Sequence, residues 1–205
     1  MVNLFHNPQW LDIAPVDGIP DEYELWNPTK MTFSLAPNDL YLPSGGNKII
    51  VEAPKETLMC GLMTPREEGG GENWLNVAHH NFYDVSFYFN LIHGHFSFEF
   101  DLYYNDLYET YYEALFVDNT HYWWVWEDFY AEEHVSLKTC PSGHFTERIY
   151  TQAKYWQEEL GLINKLVAYW FADYDPVSFL GEDSHFEAAY PVLTEATDED
   201  YAFVT

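Results

Sequence analysis

From Tyr83 to Tyr104 the chain reads YDVSFYFNLIHGHFSFEFDLYY, with apolar residues at every second position. Val85, Phe87, Phe89 and Leu91 share one face of an extended segment; Phe96, Phe98, Phe100 and Leu102 share one face of the next. This is the two-residue period of a half-buried strand. The phase inverts between the two runs, from odd positions to even ones. A two-residue turn at His93-Gly94 absorbs the inversion and predicts a hairpin that pairs Leu91 with Phe96, Phe89 with Phe98, Phe87 with Phe100 and Val85 with Leu102. The opposite face then carries Asp84, Ser86, Tyr88, Asn90, Ser97, Glu99, Asp101 and Tyr103.

Further strands are predicted around this hairpin. MTFSL, DLYL, NKIIVEA and TLMCGLM precede it, and Tyr111 to Val117, His121 to Tyr130 and His134 to Thr139 follow, with Asp118-Asn119 as turn formers. Together they read as an antiparallel meander, although Glu109 to Val117 also suits a helix. After Pro141-Ser142-Gly143 the period changes. Ile149, Ala153, Trp156, Leu160, Ile163, Val167 and Trp170 recur at spacings of three and four, which predicts an amphipathic helix over 146–173. Ser142 or Thr146 would cap it, and Asp175-Pro176 would bound it.

The expected fold class is therefore α+β: an antiparallel β-sheet meander with one long amphipathic helix near the C-terminus packed on it. A single domain spans 1–205. Residues 1–30 form an arm rich in Pro and Trp, 31–140 the sheet, 146–173 the helix and 177–205 an acidic tail. The helix's apolar seam covers the sheet or joins two chains as a homodimer.

Charge changes the picture most. The 205 residues include 34 Asp and Glu against 8 Lys and Arg, a formal charge of −26, yet 47% are hydrophobic and 20% aromatic. That aromatic content excludes a disordered acidic protein. Between Arg66 and Lys138 there is no basic residue but fourteen acidic ones, and nine more acids follow Lys165. Such a surface repels nucleic acid and anionic membranes and attracts basic proteins. Adaptation to high salt, or simple solubility, is the competing explanation. Two cysteines without CxxC spacing predict free thiols in a reducing compartment. With no signal peptide or apolar span evident, a cytoplasmic protein is expected.

Motifs for chemistry are few. His93-Gly94-His95 with Glu99 gives H-x-H-x-x-x-E, which resembles the first metal motif of the cupin barrels, and Pro141-Ser142-Gly143-His144 resembles the second more faintly. The inverted phase across the histidines favours a turn over the single strand a cupin needs. His79-His80, with Glu72 and Asp84 nearby, is read as loop, because adjacent histidines point apart. His134 beside Glu132 and Glu133, and Cys140 near His144, are proximities in sequence only. No phosphate-cradling loop, nucleophile elbow or cofactor motif is present.

What remains is the acidic face. Alternate strand residues stand about 6.7 Å apart, so Glu99 and Asp101 would begin a regular carboxylate row. Asp84, Glu109, Glu113, Glu127, Asp128, Glu132 and Glu133 would extend it into a partner-binding surface. In composition the chain resembles the acidic DNA-mimic proteins that phages and mobile elements use against restriction or CRISPR nucleases. That resemblance implies a viral inhibitor, anti-restriction or anti-CRISPR, that occupies a basic nucleic-acid-binding protein by charge complementarity. An immunity or antitoxin-like protein shielding a basic toxin is the close variant, and an enzyme with a carboxylate- and His-lined pocket is the rival.

Overall fold

The computed structural model describes residues 2–13, 18–40, 45–55, 60–64, 75–78, 81–104, 108–117, 122–127, 136–138, 142–151, 163–172 and 183–196. They contain one 3-10 turn (Pro28–Lys30) and thirteen strands. The strands are β1 (Glu24–Trp26), β2 (Thr32–Pro37), β3 (Asn47–Ala53), β4 (Cys60–Met63), β5 (Leu75–Asn76), β6 (Phe82–His93) and β7 (Phe96–Tyr104). They continue with β8 (Tyr108–Val117), β9 (Tyr122–Glu127), β10 (Ser136–Lys138), β11 (Ser142–Tyr150), β12 (Ile163–Ala172) and β13 (Ser184–Glu195). Two antiparallel sheets result. One has five strands in the order β11-β6-β13-β3-β2; the other has eight, in the order β1-β4-β12-β7-β8-β9-β10 with β5 also on β12. No α-helix occurs among the described residues, and none of their elements is a helix long and apolar enough to cross a membrane.

The expected hairpin is not one. β6 pairs with β11 and β13 in the smaller sheet, whereas β7 pairs with β12 and β8 in the larger. The chain does turn at Gly94, whose φ is 79°, but the turn carries it from one sheet to the other. A Cβ at Gly94 would lie 2.5 Å from the Asp183 carbonyl oxygen, so only glycine fits this crossing beside β13. The two apolar faces do meet, across the core instead of along a ladder: the rings of Phe87 and Phe98 are 4.7 Å apart, and those of Phe89 and Phe96 are 5.9 Å apart. Alternation says which face is buried; it does not say whether the neighbour lies beside the strand or opposite it.

The expected helix over 146–173 is corrected as well. Its two ends are strands, β11 and β12, and 152–162 lies outside the described residues. β12 is an interior strand of the larger sheet, buried on both sides. Leu166, Ala168 and Trp170 face the main core, while Val167, Tyr169 and Phe171 form a second cluster with Met63 and Tyr103 on the outer side. A strand covered on both faces is a continuous apolar run without alternation. Spacings of three and four can be picked out of any such run, which is why the helical period was a false signal. The fold class is thus an all-β sandwich and not α+β. β13, expected within an acidic tail, is the middle strand of the smaller sheet.

Trp170 anchors the core. Its indole is fully buried and lies 5.1 Å from Phe98, 5.5 Å from Phe5, 6.1 Å from Trp10 and 6.2 Å from Tyr23, ring centre to ring centre. The last three belong to the N-terminal arm, which therefore packs onto the sandwich. Asn3 secures it like a strand. Past the bulge at Tyr190 (φ 55°), Leu193 N–H donates to Asn3 Oδ1 at 2.9 Å, Asn3 Nδ2 donates to Pro191 O at 3.0 Å, and Leu4 N–H donates to Leu193 O at 2.8 Å. These bonds satisfy backbone groups that β13 exposes once β3 has ended.

Candidate binding face

The outer face of the five-stranded sheet gathers polar and aromatic side chains in cross-strand rows. The ladder places His144 (β11), Tyr88 (β6), Ala189 (β13), Lys48 (β3) and Ala36 (β2) side by side. Neighbouring strands are about 4.8 Å apart, so such a row is a compact strip. At one end the Tyr88 and His144 rings stack, with centres 4.2 Å apart and planes 13° from parallel. His144 is exposed and Tyr88 half-buried. Partial burial pulls the His144 pKa below its usual 6.5, so the neutral ring is favoured in the stack. The methyl of Ala189 is fully covered, which leaves the surface of this row to its larger neighbours.

Lys48 organises the other end. Its Nζ lies 2.7 Å from Glu187 Oε1 and 2.8 Å from Asp39 Oδ1, with the Lys48 and Glu187 side chains only 10% and 12% exposed. Asn90 Nδ2 donates to the second Glu187 oxygen at 3.2 Å. In the next row the ladder sets Asn90 beside Glu187, and Glu187 beside Ile50. Burial pulls the Lys48 pKa down, but the hydrogen bonds and charges of Asp39 and Glu187 outweigh it and leave it raised. The same ammonium holds Asp39 below the ordinary carboxylate value. The result is a fixed polar chain, Asp39–Lys48–Glu187–Asn90, beside an aromatic plate.

The carboxylates expected to form one array do not all share a surface. Asp84 lies on the outer face of the smaller sheet, whereas Glu99 and Asp101 lie on the outer face of the larger one, at the opposite side of the sandwich. There they are half-buried and engaged: Ser97 Oγ donates to Glu99 at 2.9 Å and Tyr169 OH to Asp101 at 2.8 Å. Burial, with the Asp101 charge, raises the Tyr169 pKa, so that phenol remains a donor. Glu109 and Glu113 belong to β8 and Glu127 ends β9; the register sets Glu109 opposite Tyr103, Glu113 opposite Phe100, and Glu127 opposite Tyr112, which is itself opposite Asp101. Asp128, Glu132 and Glu133 lie outside the described residues, as do Glu72, His79, His80, His134 and Cys140.

The H-x-H-x-x-x-E motif is split by the crossing. His93 ends β6, with its Nδ1 2.6 Å from the Asp183 carbonyl oxygen, while His95 N–H donates to Ser184 Oγ at 3.0 Å. No cluster of three or more metal-ligating side chains occurs among the described residues. Tyr88 and Asn90 were legible in sequence as the polar face of β6. Lys48, Glu187 and Asp39 were not, because they join that face only through the β6–β13–β3 ladder.

No family model and no curated protein matches the chain in sequence. Solved structures match it in shape. The enzymatically active domain of tailspike protein 4 from bacteriophage CBA120 aligns with a TM-score of 0.53 and 5% identity, over 95% of this chain and 22% of that one. An exo-beta-agarase aligns with a TM-score of 0.52 and 7% identity, over 95% of this chain and 26% of that one. A structure described as "CBM4 structure and function" aligns with a TM-score of 0.47 and 10% identity, over 93% and 99% of the two chains. This chain thus spans about a quarter of the length of the first two. The expected DNA-mimic inhibitor, with its anti-restriction and anti-CRISPR forms and its immunity-protein variant, is corrected here: the neighbours in shape give it no support, and Asp84 stands on the other sheet from Glu99 and Asp101. At these identities the likeness is one of fold: the chain shares the antiparallel β-sandwich of the tailspike domain and the agarase.

Proposed function

We propose that the protein binds carbohydrate on the outer face of its five-stranded sheet. The observation that carries this reading is the Tyr88–His144 stack standing beside the Asn90–Glu187–Lys48 chain, whose Asn90 follows Tyr88 on the same face of β6. A sugar ring has a flat C–H face and a rim of hydroxyls. The C–H face gains by packing on an aromatic ring, and the hydroxyls need donors and acceptors held in place. A carboxylate and an amide already locked by a lysine meet that need at little ordering cost on binding. The fold shared with an exo-beta-agarase supports the reading, although it transfers no residue.

Binding fits the face better than hydrolysis does. A glycosidase acid needs a raised pKa, whereas Asp39 is pushed down by Lys48. The test is titration of the full chain with a panel of soluble polysaccharides, followed by calorimetry or retardation in glycan-containing gels. Tyr88→Ala is expected to weaken binding about fivefold to tenfold, from the loss of roughly 1 kcal/mol of ring packing. Glu187→Gln is expected to weaken it too. Thermal transitions that stay well above the assay temperature in both variants keep the comparison clean. Absence of binding to any glycan, or binding indifferent to both changes, refutes the proposal.

A further inference from the structure

We infer that the ligand of this face is a neutral glycan, and that uronate-bearing and sulfated polysaccharides are rejected by charge; this deepens the carbohydrate-binding reading and rests on it. The five strands of the sheet contain just two Lys or Arg residues, Lys48 and Arg148. Lys48 is already held between Asp39 and Glu187 at 2.8 and 2.7 Å. Arg148 occupies the ladder position directly opposite Asp84. Each basic position of the sheet therefore has an acidic position near it on the strand ladder. Recognition of a glycan carboxylate or sulfate uses Arg or Lys forks offered to it. Here an anionic sugar would have to compete with Glu187 for a cation that is 10% exposed.

Long-range charge acts in the same direction. Glu52, Asp84 and Glu187 lie on this face, Asp39 stands at its edge with its side chain 74% exposed, and the whole chain carries −26. A polyanion approaching such a surface is repelled at low ionic strength, and salt relieves the repulsion. A neutral glycan feels neither effect.

The experiment titrates the full chain with a neutral mixed-linkage β-glucan and a neutral agarose oligosaccharide, and with alginate and a sulfated carrageenan. Each is run at low and high salt with EDTA present, so that no divalent ion bridges the acids. Neutral glycan affinity is expected to change by less than about twofold with salt, and anionic binding to be about tenfold weaker or more at low salt. In the Ser34→Lys, Thr146→Lys double variant, built on two exposed positions of the same face, the anionic glycans are expected to gain. Anionic binding that equals or exceeds neutral binding at low salt, and that Tyr88→Ala removes, overturns this inference while the carbohydrate reading stands. A preference unmoved by the two added lysines also overturns it. No binding to either class overturns both.

Discussion

Replacing Lys48 by methionine removes a cation that serves two carboxylates, Asp39 and Glu187. The methylene stem is kept, so packing over β3 is largely preserved. What changes is Glu187, 12% exposed, which keeps its bond from Asn90 but loses its counter-charge. Breaking a buried pair by removing one partner costs about 3–5 kcal/mol. Asp39 at the far end is 74% exposed, so solvent screens part of the loss, and we place it at about 2 kcal/mol. That is a large fraction of the roughly 5–15 kcal/mol that holds a domain folded. Removing both partners is different: Lys48→Met with Glu187→Met leaves no orphaned charge and should recover most of the loss. Urea unfolding at neutral pH, with the slope unchanged, measures all three variants. A single variant within about 0.5 kcal/mol of the parent, or a double variant less stable than the single, refutes the reasoning. The pH window follows from the shifts. The lowered Asp39 pKa contributes stability above its ordinary 3.8, lost as pH falls through the folded value. The raised Lys48 pKa contributes stability below 10.5, lost as pH rises through the folded value. The bridge therefore holds across neutral pH and fails at both ends.

Other expectations can be checked alongside. Ala168 is fully buried, faces the main core from β12 and ladders opposite Phe100; Ala168→Glu should unfold the protein at room temperature, whereas a helix with its apolar stripe at Ile163, Val167 and Trp170 would tolerate it, and circular dichroism separates the two. Gly94→Ala forces a side chain into the left-handed region and against the start of β13, a loss of about 2–4 kcal/mol; denaturation beside the exposed control Ile92→Ala measures it. Thr64 Oγ1 accepts the buried Ala168 N–H at 2.9 Å, so Thr64→Val should cost about 1–3 kcal/mol and Thr64→Ser much less, as read from urea midpoints. His144 has a lowered pKa, so stability is full above 6.5 and declines as pH falls through that value toward the folded pKa; His144→Phe should flatten this limb of the thermal pH profile, and an unchanged profile refutes the assignment.

What the linear sequence determined about this protein is local. The alternation in β6 and β7 identified both strands, their buried faces and the reversal at Gly94, because a pleated strand must sort its side chains by face. The same reading reached Tyr88 and Asn90, the half of the candidate site that lies on one strand. Composition gave the total charge. Only the tertiary structure decided what stands next to what. Alternation is the same whether two oily faces lie side by side in one sheet or meet across a core, so Phe87 could as well have paired with Phe100 as packed on Phe98. Burial on both sides erased alternation from β12, and a continuous apolar run carries no period by which to tell strand from helix. The ladder β11-β6-β13-β3, whose paired residues stand from 52 (Asn90 to Ser142) to 141 (Lys48 to Ala189) apart in sequence, brought His144, Glu187 and Lys48 to Tyr88. It also sent Asp84 to one side of the sandwich and Glu99 and Asp101 to the other, because hydrogen bonding between distant strands, and not spacing along the chain, sets which charges share a surface.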